Sequence, residues 1–211
     1  MHIYVIHYTP LKERKQHIID EFARHNITDY EFIESFDKEA LTESDKTKFT
    51  EQLNEGQKSI ISKHLEAYRK IATGYDAYSL IFEDDVVLSD NFNQILQSYM
   101  SQFLPQNGDM LFISDCAELH MHKGLLKSNS NIYKKTLLPT FWGGAGGSRG
   151  TDAYIVSATC ARRILHYVQT LTYKINTASD HWLNQVMMDL SLKVFWAEPT
   201  LVTQLKLERS Y

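Results

Sequence analysis

Cysteine is scarce in this chain: Cys116 and Cys160 are the only two among 211 residues. Neither belongs to a CxxC pair or to a Cys/His group with zinc spacing, so both read as small buried hydrophobes rather than as a disulfide or a metal framework. Long apolar runs are missing as well. No stretch approaches the roughly 18 apolar residues of a membrane span, and the opening Met1-His2-Ile3-Tyr4-Val5-Ile6 is too short for a signal peptide. The expectation is a soluble, cytoplasmic chain with no transmembrane segment, peripheral membrane association being left open. Nor does one sign of charge dominate: 22 basic and 26 acidic residues give a formal −4, mixed throughout, and no basic face marks a nucleic-acid binder. Glycine is sparse except in one place, since five of the nine lie between Trp142 and Gly150. That stretch matches neither GxxxxGK[ST] nor a GxGxxG that follows a strand, which argues against a P-loop or a dinucleotide site. A flexible substrate loop and an ordinary irregular connection both remain open for it.

What is present is an alternation of short strands and helices. Residues 3–8 read as a strand stopped by Pro10, and Lys12 to His25 as a helix with Ile18, Ile19, Phe22 and Ala23 on one face. Tyr30 to Ile33 reads as a strand, and the polar segment 38–57 as a solvated loop with short helices, a candidate mobile flap. Helices follow over 57–72, 92–103, 158–170 and 179–189, the second capped by Ser89-Asp90 and the last with Ser179 at or near its cap. Strands are expected at 78–82, 110–113, 151–156 and 194–197, with one short strand pair in the loop 117–140 and an extended tail after Pro199. The pattern predicts one α/β domain over 1–211, with a mixed, mostly parallel sheet flanked by helices.

The chemistry concentrates at Glu83-Asp84-Asp85. The apolar run Tyr78-Ser79-Leu80-Ile81-Phe82 precedes it and Val86-Val87-Leu88 follows. A solvated turn is the plain alternative, but three carboxylates between buried segments concentrate negative charge that a cation would offset. Hard oxygen ligands at a strand end favour Mg2+ or Mn2+, commonly shared with substrate phosphates. His64 lies on the apolar stripe of its helix, which suits a hydrogen-bonded core histidine and a ligand contact equally. Asp180, at a helix start beside His181 and Trp182, either faces the helix dipole or serves as a second chemical group.

Ile81-Phe82-Glu83-Asp84-Asp85-Val86, preceded by Ser62-Lys63-His64 and Tyr68, resembles glycosyltransferase family 25, which includes lipooligosaccharide galactosyltransferases and collagen hydroxylysine sugar transferases. Val5-Ile6-His7-Tyr8 with Arg14, Gly150-Thr151-Asp152-Ala153-Tyr154-Ile155-Val156-Ser157 with Ala161, and Glu198-Pro199 to Gln204 are similar to further segments of that family, in the same order. Tyr8-Thr9-Pro10 and Gly56-Gln57-Lys58 depart from its usual forms. The resemblance implies a GT-A type fold, with a nucleotide-binding half over 1–115 and an acceptor-side half over 116–211. It implies a metal-dependent, inverting hexosyltransferase that uses UDP-galactose or UDP-glucose, with a glycan, glycolipid or glycoprotein hydroxyl as acceptor. Glu83 and Asp85 would hold Mn2+ or Mg2+, and Asp84 would touch ribose or donor sugar. Tyr8, Thr9, Arg14, Glu34 and Ser35 would bind the nucleoside, with Ser62 and His64 lining the same pocket. Asp180 would be the catalytic base, with Asp152 and Asp115 in reserve. A metal-dependent phosphohydrolase or nucleotidyltransferase, and a non-catalytic sugar- or nucleotide-binding module, are the competing classes.

Overall fold

The computed structural model describes residues 1–116, 119–135 and 149–205. In chain order the elements are β1 (Ile3–Ile6), α1 (Lys12–Arg24), β2 (Tyr30–Ile33), α2 (Glu43–Lys46), α3 (Glu55–Thr73), β3 (Tyr78–Glu83), β4 (Val86–Leu88) and α4 (Phe92–Phe103). They continue with β5 (Met110–Phe112), β6 (Ile132–Lys134), β7 (Ala153–Ser157), α5 (Ala158–Thr170), α6 (Ser179–Asp189), β8 (Val194–Ala197) and β9 (Val202–Gln204). Among the described residues seven strands form one sheet, in the order β2-β1-β3-β7-β5-β8-β6. β1 is parallel to β2 and β3, and β5 to β8, whereas β7 runs antiparallel to β3 and β5, and β6 antiparallel to β8. All strands but β6 and β7 therefore share one direction, which is the mixed, mostly parallel α/β sheet expected from the sequence.

β1, β5 and β8 are apolar without a break because both faces of the sheet are covered there. Ile3 and Val5 alternate with Tyr4 and Ile6. The first pair joins Leu80, Phe82 and Ile155 under α1 and α4, where Ile18, Phe22, Phe92 and Phe103 pack. The second pair joins Ile81, Phe112 and Tyr154 under α3, α5 and α6, where Leu65, Ile164 and Leu183 pack. α3 starts at a reciprocal cap: Asn54 Oδ1 accepts from the Gln57 amide at 2.9 Å, and Gln57 Oε1 accepts from the Asn54 amide at 3.0 Å.

Several expectations are corrected. Ser89-Asp90 does not cap α4: Asn91 holds the cap position without a side-chain bond, and the Ser89 carbonyl takes the Phe92 amide instead. Ser179 is the first helical residue of α6, with Ala178 at the cap. Segment 38–57 is more than solvated loop, because Leu41, Phe49 and Leu53 are buried and Thr50 and Ile175 are tied in by backbone bonds of 2.9 and 2.8 Å across the Phe49–Ile175 bridge. β6 extends the main sheet at its edge instead of forming a local pair, and the tail strand β9 pairs antiparallel with β4 just beyond the acidic turn. The glycine-rich stretch lies outside the described residues except for Arg149 and Gly150.

Phe82 lies wholly buried between Phe22 and Phe92. Phe82→Ala is expected to cost about 3–5 kcal/mol in urea unfolding; a loss below about 1 kcal/mol would show that this face is not close-packed.

Candidate active site

The carboxyl ends of β1, β2 and β3 lie side by side, with Ile6 in register with both Ile33 and Glu83. Above them opens a cleft of about 260 Å³, lined by Ile6, His7, Tyr8, Leu11, Arg14, Lys38, Gly56, Ser59, Ile60, Lys63, Glu83 and Asp84. β1 delivers His7 and Tyr8 to it, α1 delivers Arg14, and α3 delivers Ser59 and Lys63.

The three carboxylates of the triplet have different partners. Asp84 is buried and accepts from His7 Nδ1 at 2.7 Å, from the Tyr8 amide at 3.3 Å and from Arg14 at 2.9 Å. The same Arg14 nitrogen reaches Asp85 Oδ2 at 3.2 Å, so one guanidinium bridges two adjacent carboxylates. Asp85 Oδ1 is buried with no hydrogen-bond partner. Burial and the Glu83 charge push the Asp85 carboxyl up to about 6, and Arg14 offsets only part of this. Glu83 turns the other way. Its Oε1 accepts from Thr151 Oγ1 at 2.6 Å and lies 3.6 Å from His64 Nε2. Burial opposes its ionised form, but His64, Thr151 and Arg14 outweigh burial and hold its carboxyl below the usual range.

A fourth carboxylate joins them. Asp152, just before β7, accepts Ser114 Oγ–H at 2.8 Å, while its backbone carbonyl takes the Glu83 amide at 2.8 Å. Burial, then the Glu83 charge, push its carboxyl up to about 8. Gly150 makes this approach possible: it sits at φ +78°, and a Cβ there would meet Cys116 Sγ at 2.4 Å and Asp152 at 3.1 Å. Thr151 Oγ1 lies 3.2 Å from Ser179 Oγ, which brings the start of α6, and with it Asp180, to the edge of the acidic turn. The Asp180 side chain is 35% exposed and stands 4.0 Å from His181.

Of the residues expected from sequence, Tyr8, Arg14, Glu83 and Asp84 line the cleft. Thr9 is bonded to Asp37, and Tyr8 Oη donates to Glu39 at 2.5 Å. Glu34 is exposed and paired with Lys15 at 2.6 Å, outside the cleft lining, and Ser35 contributes its carbonyl to Lys63 at 2.7 Å. Ser62 and His64 are buried and are not part of the cleft lining, although His64 Nε2 lies 3.6 Å from the cleft-lining Glu83. Sequence reasoning missed Lys63, buried at the cleft floor and donating to Asp37 at 2.7 Å, although it stands between the two residues that were singled out. It also missed His7, whose buried Nε2 has no partner.

Among the described residues no group of three or more His, Cys, Asp and Glu side chains is arranged to hold a metal alone. The donor set nevertheless suits a hard divalent cation: Asp85 offers an unpartnered oxygen, and Mg2+ and Mn2+ sites commonly take one or two carboxylates and complete their shell with phosphates and water.

A cleft and clustered carboxylates at the carboxyl ends of parallel strands define an α/β protein whose candidate site lies where open α/β sheets bind ligands. The chain belongs to glycosyltransferase family 25 (LPS biosynthesis protein), whose model matches residues 1–183. It is 27% identical over 182 residues, 80% of this chain, to a Haemophilus influenzae (strain KW20 / Rd) protein described as "Putative glycosyltransferase". It is 34% identical over 102 residues, 46% of this chain, to the lipooligosaccharide biosynthesis protein lic2B of Haemophilus influenzae. The matches span 58% and 38% of those two proteins' own lengths. Among solved structures, Staphylococcus aureus TarS 1–349 is similar over 97% of this chain and 60% of its own, with a TM-score of 0.45 and 10% identity. A glycosyltransferase involved in the glycosylation of the major capsid of PBCV-1 is similar over 99% and 96%, with a TM-score of 0.43 and 13% identity.

The raised Asp152 carboxyl makes stability depend on pH. The folded state holds this proton more tightly than the unfolded chain, so the contribution is full below about 4 and is lost as pH rises through about 8. Asp152→Asn is therefore expected to raise the melting temperature in chelator at pH 8 and to leave it nearly unchanged at pH 4. An equal shift at both pH values would show that the carboxyl is not held protonated.

Proposed function

We propose that the chain is a hexosyltransferase that moves galactose or glucose from a UDP-sugar to a hydroxyl acceptor, with inversion at the anomeric carbon. One observation carries the reading: in a member of this family, a cleft at the ends of three parallel strands is bordered by the acidic turn and by Arg14, which bridges two of its carboxylates. The nucleoside would occupy the cleft between Tyr8 and Lys63. Arg14 still has N–H groups for the diphosphate, whose oxygens match a planar guanidinium. Residues 1–115 thus make up the donor side, and residues 116–211 bring α6 and the acceptor.

Asp85, with its unpartnered oxygen, would hold Mn2+ or Mg2+. When bound, the ion supplies charge stabilisation for the departing diphosphate. The remaining roles belong to side chains. Asp180 stands at the start of α6, exposed enough to meet an acceptor and linked to the turn through Ser179 and Thr151. As base it would take the acceptor hydroxyl proton while that oxygen attacks the anomeric carbon and UDP leaves on the opposite face. The family description and the likeness to lic2B favour a lipid-borne glycan among the acceptor classes. No helix among the described residues is long and apolar enough to cross a membrane.

Two substitutions separate the roles. Asp180→Asn is expected to lower kcat by roughly 10²–10⁴-fold while UDP binding in Mn2+ stays near the parent value; retained turnover removes Asp180 from catalysis. Asp85→Asn is expected to abolish the gain in UDP affinity that Mn2+ gives the parent, measured by calorimetry with and without the ion. An unchanged gain would overturn the assignment of Asp85.

A further inference from the structure

His64 does not line the cleft, yet the structure does not make it an ordinary core histidine. Its ring stacks on Tyr154 with centroids 5.9 Å apart, and Tyr154 stacks on Phe112 at 5.3 Å. His64 Nδ1 is 2.9 Å from Tyr154 Oη, and Tyr154 Oη is 2.7 Å from Tyr68 Oη. Each of the three groups is buried.

Counting protons settles the direction of this chain. Two hydroxyls carry one hydrogen each, and the far end faces the Glu83 carboxylate, an acceptor. If Tyr68 donates to Tyr154 and Tyr154 donates to His64 Nδ1, then Nε2 carries the imidazole hydrogen and points it at Glu83. The reverse order leaves the Tyr68 hydrogen without an acceptor and sets the Nε2 lone pair against a carboxylate. The first order gives both hydroxyl hydrogens an acceptor and aims the Nε2 hydrogen at Glu83 across 3.6 Å, beyond hydrogen-bond distance.

The space there is a narrow recess lined by His64, Thr151, Ser179 and Trp182, with no room for a water molecule. His64 Nε2 and Trp182 Nε1 are both buried without a partner. Unpaired buried donors are costly, and a carboxylate is the group that relieves them. Glu83 is already at the mouth, bonded to Thr151.

We propose that His64 is a positioning residue: held as the Nε2–H tautomer by Tyr154 and Tyr68, it draws the Glu83 carboxylate to the mouth of this recess and so fixes the acidic turn against the start of α6. Its link to catalysis rests on the transferase reading above. Glu83 then serves as the internal anchor of the turn, which leaves Asp85, with its unpartnered Oδ1, for the ion.

The test has two arms. Ring-15N spectra of the folded chain, with the His64 signals assigned by their loss in His64→Gln, are expected to show Nε2 protonated and Nδ1 bare, and Tyr154→Phe is expected to lose that single tautomer. An Nδ1–H tautomer in the parent overturns the proposal whatever the enzyme does. In the second arm, His64→Phe is expected to lower kcat by roughly 10–100-fold, with the donor KM unchanged because no cleft residue is altered. His64→Gln, which restores an N–H donor, is expected to recover most of the loss. A folded His64→Phe variant that turns over at the parent rate, or a His64→Gln variant no better than it, overturns the positioning role. A parent without turnover on any UDP-hexose sinks the transferase reading alone, and the tautomer still decides the proposal.

Discussion

The guanidinium of Arg14, shared between Asp84 and Asp85, is the interaction on which the crest of this sheet depends. Glu83, Asp84, Asp85 and Asp152 crowd the ends of two neighbouring strands, and within hydrogen-bond distance Arg14 is their only arginine or lysine partner among the described residues. Carboxylates gathered out of water repel one another, and desolvation adds to the cost of each charge. The strain surfaces where Arg14 does not reach well: burial and the Glu83 charge push Asp85 up to about 6 and Asp152 up to about 8. A diphosphate alone would add to this repulsion. On the reading proposed above, a divalent cation carried with the diphosphate would offset that charge.

Topology explains how these groups meet. Parallel strands present their carboxyl ends at one edge, which brings the residues after β1, β2 and β3 together. An antiparallel strand inserted beside them presents its amino end at that same edge. β7 is such a strand, so Thr151 and Asp152, which precede it, arrive beside Glu83, which ends β3. Ser179 then meets Thr151, and the start of α6 is drawn to the acidic turn from a distant part of the chain.

That geometry also marks how far the site was legible in the sequence. The triplet and the spans of α4, α5, α6 and β8 follow from local pattern, because apolar periodicity and short-range composition set them, whereas the place of Arg14 at the cleft is implied only by the family resemblance. The pairing of Asp152 with Glu83 does not, since it needs the orientation of β7, which no local signal encodes. Likewise the Lys63–Asp37 pair joins α3 to the loop after β2, and a lysine on an otherwise apolar helix face gives no hint of its partner. His64 was balanced between core and ligand because its deciding partner, Tyr154, lies 90 residues away. Asn91 replaced Ser89-Asp90 at the start of α4 because the chain turns there on a backbone bond, and side-chain preference had no part in it.

The unequal fates of the three adjacent carboxylates come from the two-residue period of a strand. Ile81 faces α3, α5 and α6, and Glu83, two residues on, keeps that side and meets His64 and Thr151. Phe82 faces α1 and α4, and Asp84 keeps that side and meets His7 and Arg14. His7 follows the same rule from Val5 on β1, so the two buried partners arrive on one face by the same alternation. Asp85, second in the turn, shares Arg14 with Asp84, and of the three it alone keeps a buried oxygen without a partner. A one-residue slip of β3 against β1 would exchange these faces, sending Glu83 toward Arg14 and Asp84 toward Tyr154. The apolar alternation that buries Leu80, Ile81 and Phe82 on their proper sides is therefore also what assigns each carboxylate its role.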